Sequence, residues 1–221
     1  GVFGSLTGDL WLDALTGPSG AQRRTIHADR RCTALALAHA GFQVDTVTST
    51  TNPLSQYTLL FVNDVYFDDA AASTLLTWVE GGGILLLGVG AAQRSQFNQT
   101  LHVLTPPLTT PLTCPPNSSV TFPKQDLIWA EAVGSVLWRD GSTSKAIGCR
   151  QDLTDLATLP HTTTTATFGD NAAPAIVERE IGSGKVVYFG FSPGLSAFYP
   201  AMPRRPADRG ATDAAFTHFI P

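Results

Sequence analysis

The chain has 221 residues and a mass of 23.4 kDa, enough for one α/β domain with a full core. An apolar fraction of 43% excludes a disordered chain, while a charged fraction of 14% is well below the roughly 25% usual for soluble domains. The formal net charge is −4, and the arginine pairs Arg23-Arg24, Arg30-Arg31 and Arg204-Arg205 form no basic stripe, which sets nucleic-acid binding aside.

In chain order, Val2-Phe3-Gly4-Ser5 is the first expected strand. A helix over residues 28–40 is stopped by Gly41, and the alternating residues 42–47 make a second strand. Residues 58–63 are continuously apolar up to Asn63, as in a parallel strand covered on both faces. A helix over 68–80 carries Leu75, Leu76 and Val79 at helical spacing and ends at Gly81-Gly82-Gly83. Residues 84–89 form the strongest buried strand, and they are also the longest apolar run, far short of the roughly 20 residues of a membrane span. This strand, helix and strand at regular pitch make a βαβ unit.

From 101 to 123 the prolines Pro106, Pro107, Pro111, Pro115, Pro116 and Pro123 forbid regular structure, and a long loop is expected. Short strands follow at 133–138, 143–149 and 164–168. Residues 175–180 and 185–191 then form a hairpin around Ile181-Gly182-Ser183-Gly184. The chain opens at Gly1 without Met and without a charged segment leading into an apolar one, so it is expected to be a processed chain or an excerpt.

Cys114 and Cys149 both lie in turn-rich surroundings, where a disulfide would stabilise a weak region by about 2–4 kcal/mol. Cys32, in an amphipathic helical stretch, is read as a small buried apolar residue. Two Asn-x-Ser/Thr sequons, at Asn98 and Asn117, fall in polar or Pro-rich segments that belong on the surface. With the low charge, the Thr162-Thr163-Thr164-Thr165 run and the expected Cys114–Cys149 bridge, they favour a secreted, extracellular glycoprotein. The competing reading is a cytosolic or bacterial protein that never meets a glycosyltransferase.

Residues 35–47 (ending AGFQVDTV), 57–63 (YTLLFVN), 75–87 (LLTWVEGGGILLL) and 175–194 (AIVEREIGSGKVVYFGFSPG) resemble the class I glutamine amidotransferase-like superfamily. The likeness is to its non-catalytic branch, similar to the trimerisation domain of certain β-galactosidases and to ThuA-like proteins. It covers most of the chain outside the Pro-rich loop. It implies one α/β domain over 1–221, a three-layer, flavodoxin-like α/β/α fold whose sheet is mostly parallel, with a C-terminal antiparallel hairpin and a Pro-rich excursion.

Active members of that superfamily hydrolyse amides with a Cys on a sharp turn after a core strand, a His base and a Glu that orients the His. The corresponding turn here is Leu87-Gly88-Val89-Gly90-Ala91-Ala92-Gln93, and the nucleophile position falls at Gly90. Where the family has His-Pro-Glu, this chain has Ser192-Pro193-Gly194. The resemblance therefore implies a fold that has lost amidotransferase chemistry.

Other constellations are weaker. The five histidines, His27, His39, His102, His161 and His218, have no metal-ligand spacing, and neither a metal nor a cofactor is expected. Ser192 with His161 and an acid could form a hydrolytic triad, but no Gly-x-Ser-x-Gly surrounds Ser192. Asp64, Asp68 and Asp69 follow a strand at its carboxyl end, where they could hold a cation or a sugar hydroxyl. Alternatively, Asp68 caps the next helix and Asp69 supports its dipole. Asp9, Trp11 and Asp13 combine an aromatic ring with two carboxylates, which suits sugar stacking, yet Trp11 could equally cover the sheet edge. The leading expectation is a non-catalytic scaffold domain that pairs with itself or with neighbouring domains of a longer chain. The alternatives are a carbohydrate-contacting accessory domain and a hydrolase with an unrecognised site.

Overall fold

The first long helix shows why hydropathy alone misplaces its start. The computed structural model describes residues 1–4, 21–51, 53–63, 69–89, 120–122, 125–127 and 132–198. In it, helix α1 (Ala21–His39) begins seven residues before the expected position at 28. Its buried face is Thr25, Ile26, Asp29, Arg30 and Thr33, spaced as one helical stripe but mostly polar. An apolar pattern cannot reveal a face of that kind.

Its end follows the sequence. Gly41 has φ +89, Gly41 N–H donates to Ala38 O (3.0 Å) and Phe42 N–H donates to Leu37 O (3.0 Å), a Schellman closure. The second helix, α2 (Asp69–Glu80), closes identically, with Gly82 at φ +112 donating to Val79 O and Gly83 N–H donating to Trp78 O.

Strands β1 (Val2–Phe3), β2 (Thr46–Val47), β3 (Leu59–Val62), β4 (Ile84–Leu87), β7 (Ala132–Trp138), β8 (Thr143–Ile147), β9 (Thr162–Phe168), β10 (Pro174–Ile181) and β11 (Gly184–Phe189) form one sheet in the order β2-β1-β3-β4-β11-β10-β9-β7-β8. Strands β5 (Val120–Phe122) and β6 (Gln125–Leu127) pair separately, β5 lying at the end of the expected Pro-rich loop.

The mostly parallel, flavodoxin-like layout expected from the sequence is not what forms. The junctions β2/β1, β1/β3, β3/β4 and β4/β11 are parallel, whereas β11/β10, β10/β9, β9/β7, β7/β8 and β5/β6 are antiparallel. The reason is the connections. Parallel neighbours need a crossover long enough for a helix, and tight turns such as Gly182-Ser183 between β10 and β11 give only antiparallel ones. The α/β class holds, with a mixed sheet.

Leu60 and Val62 of β3, Leu85 and Leu87 of β4, and Val186 and Tyr188 of β11 pack against Ala72, Leu75 and Val79 of α2. The short helix α3 (Thr154–Ala157) adds Leu156 to the same core. The antiparallel half has its own cluster, in which Phe168 and Phe191 meet edge to face at 6.4 Å. Right-handed crossovers from β1 to β2 and from β3 to β4 run in opposite directions along the sheet, which puts α1 on the face opposite α2. There α1 packs against the last described helix, α4 (Pro193–Phe198).

Candidate functional site

Strands β1, β3, β4 and β11 are parallel, so the residues after them, Gly4, Asn63, Gly88 and Ser192, lie at one end of the sheet. In open α/β folds that end is where ligands bind. Among the described residues, a buried polar network gathers there. Asn63 and Asp29 are wholly buried, and Asn63 Nδ2 donates to Asp29 Oδ2 (2.8 Å). Arg30 Nε donates to the Asn63 carbonyl (2.9 Å). Leu195 N–H, at the start of α4, donates to Asp29 Oδ1 (3.1 Å).

Glycines make room for this network. A Cβ on Gly4 would lie 2.8 Å from Arg30 Nη1, and one on Gly88 would lie 2.5 Å from Asn63 Cγ. Burial is the main influence on Asp29 and pushes its carboxyl up to about 7, opposed by hydrogen bonds from Leu195, Asn63 and Gly194 and by the Arg30 charge. Cys32 is a free, half-buried thiol that burial, and then the Asp29 charge, push up to about 11, so it carries no thiolate at neutral pH.

The motif Ser192-Pro193-Gly194 is committed to packing. Ser192 is wholly buried, its Oγ accepts from Cys149 N (3.3 Å) and its carbonyl accepts from Ser196 N (3.1 Å) and Ser196 Oγ (2.8 Å). Pro193 opens α4, at a position that needs no backbone donor. Gly194 touches the α1 backbone: a Cβ there would collide with Thr33 N and Asp29 O. A carboxylate side chain has no space at this position.

Ser192 and His161 do not come together. Ser192 follows the end of β11, whereas the carbonyl of exposed His161, at φ 58, accepts from Glu180 N (3.1 Å) beside the start of β11. The six residues of β11 separate those ends by roughly 20 Å. Cys149 is wholly buried, just before Arg150, whose guanidinium forks onto Asp170 (2.7 and 2.9 Å) and lies 3.8 Å from the centre of the Phe168 ring. Gly90, Asp9, Trp11, Asp13, Asp64, Asp68, Asn98, Cys114 and Asn117 lie outside the described residues, and of Asp69 only its place at the start of α2 is described. Among the described residues no three His, Cys, Asp or Glu side chains group as metal ligands, and no helix is long and apolar enough to cross a membrane.

Sequence reasoning missed Asp29, Arg30 and Asn63. The usable signal was Thr25, Asp29 and Thr33 at intervals of four, polar residues on the face that a helix presents inward.

Residues 34–204 match the family model described as the β-galactosidase trimerisation domain. The chain belongs to the β-galactosidase trimerisation domain family. Among solved structures, this trimerisation domain is similar to the β-galactosidase from Bacillus circulans sp. alkalophilus, with a TM-score of 0.60 and 14% identity over 87% of this chain and 28% of that one. It also resembles the β-galactosidase from the haloarchaeon Halorubrum lacusprofundi, with a TM-score of 0.59 and 17% identity over 87% of this chain and 27% of that one. A protein described as ThuA-like from Bacteroides uniformis matches with a TM-score of 0.54 and 10% identity over 86% of this chain and 80% of that one. The chain thus spans less than a third of the length of the two β-galactosidases. No curated protein matches it.

Proposed function

We propose that this chain is the non-catalytic assembly domain of a longer carbohydrate-active enzyme and that it associates with copies of itself. The observation that carries the reading is the match to the trimerisation family over residues 34–204. The described residues at the carboxyl end of the parallel strands support it, because Asp29, Arg30 and Asn63 are buried and bonded to one another there, and Gly194 leaves no room for an orienting carboxylate. Within this proposal the fold descends from the glutamine amidotransferase-like superfamily, with Gly90 at its former nucleophile position. Light scattering on the 221-residue chain and on the longer protein, across a concentration series, tests the association: a mass of several protomers is expected, and a monomer in both contradicts it.

We further propose secretion, with glycans on Asn98 and Asn117 and a Cys114–Cys149 disulfide. Intact mass of protein from its natural source, before and after deglycosylation and after reduction, tests all three. Unmodified asparagines would remove the glycoprotein reading, and two additional alkylatable thiols without reductant would remove the bridge.

A further inference from the structure

The Asp29 carboxyl joins elements far apart in sequence. From α1 it accepts hydrogen bonds from the end of β3 through Asn63 Nδ2 (2.8 Å) and from the start of α4 through Leu195 N (3.1 Å). Helix α4 then reaches the antiparallel half of the sheet, because Ser196 Oγ accepts from Ile147 N (3.0 Å) and Ser192 Oγ from Cys149 N (3.3 Å). One buried carboxyl therefore closes a line of contacts running from the parallel half to the antiparallel half.

We propose that Asp29 is a pH-responsive clasp whose proton occupancy sets how readily α4 opens away from α1 and the end of β3. Among the described residues, the charged or titratable groups facing it are few. From α1 there are the Arg30 guanidinium and the Cys32 thiol; β3 supplies only neutral Asn63, and α4 contains no ionisable side chain. In the closed form burial pushes the carboxyl up to about 7, whereas opening returns it to water and to the ordinary value of 3.8. Between those values the closed form holds a proton that the open form releases. Opening is therefore opposed at low pH and becomes easier as pH rises, by about tenfold per pH unit, levelling off above about 7.

Two measurements on the full chain decide this. The first follows the Asp29 carboxyl carbon by NMR through a pH titration: a midpoint near 7 is expected, and a midpoint below about 5 overturns the clasp. The second reads amide hydrogen exchange at Leu195 and Ser196, corrected for the intrinsic pH dependence of exchange. Between about pH 5 and 6.5 the opening constant is expected to rise roughly tenfold per unit in the wild type and to stay level in Asp29→Asn. A level wild type, or an unchanged slope in the variant, overturns the proposal. The titration needs no variant, so it remains decisive if Asp29→Asn does not fold.

Discussion

At Gly194 the absence of a side chain is what lets α4 lie on α1, since a Cβ would strike the backbone of Thr33 and Asp29. Gly194→Ala is therefore expected to cost about 2 kcal/mol or more, read as a melting temperature lowered by at least about 4 °C. An unchanged melting temperature would mean that the two helices are not in contact there. Asp29 gives a pH dependence of unusual sign. Its folded value is raised to about 7, so its contribution to stability is fully present below the unfolded value of 3.8 and is lost as pH rises through 7. Calorimetry should accordingly find a higher melting temperature at pH 5.5 than at pH 8, and Asp29→Asn should shrink the difference. Arg150 separates charge from packing. Asp170 is 58% exposed, so Asp170→Asn is expected to cost under about 1 kcal/mol, whereas Arg150→Ala also uncovers Phe168 and should cost more. Denaturant midpoints of the two variants check the order. Ser192 and Gly194, at the positions where the resemblance would put a base and an orienting carboxylate, could be read from the chain because residue identity is all that reading needs. The Asp29–Asn63 pair could not, because its partners are 34 residues apart and neither is in a recognisable motif.

Among the elements, the β10–β11 hairpin is the clearest case of local sequence deciding structure. Its tip docks on the end of α2, where Ser183 N–H donates to Glu80 O (2.9 Å) and Gly184 lies against Val79 O and Gly83 O. Two glycines in this region serve different ends. Gly82 has φ +112 and open space around it, so Gly82→Ala is expected to cost only the left-handed strain of about 1–2 kcal/mol. Gly184→Ala drives a Cβ into two backbone carbonyls and should cost more than Gly82→Ala, which equilibrium unfolding of both variants can rank. Helix ends were legible because Gly41 and Gly82 must adopt positive φ at the closures. The start of α2, expected at 68 and found at Asp69, was legible too, but those of α1 and α4 were not: α1 extends to Ala21 on a polar buried face, and α4 is six residues long with no periodicity to detect.

For the whole molecule, the sequence pointed to an α/β domain and to the trimerisation branch, and the family match over residues 34–204 agrees. The sheet layout was the error. Continuous apolar runs at β3 and β4 mark parallel, doubly covered strands, but strand direction beyond β4 depends on connections, and the chain from 91 to 119 carries no pattern that fixes it. The sheet is accordingly joined in parallel on one side of β11 and antiparallel on the other, with α4 tied to both halves through Asp29, Ser192 and Ser196. The direct test is the mass in solution of the proposed longer protein, compared with the same protein lacking this domain. A trimer-sized particle that falls to a smaller assembly when the domain is removed is expected; an assembly of unchanged mass, or a monomer in both cases, would contradict the proposed role.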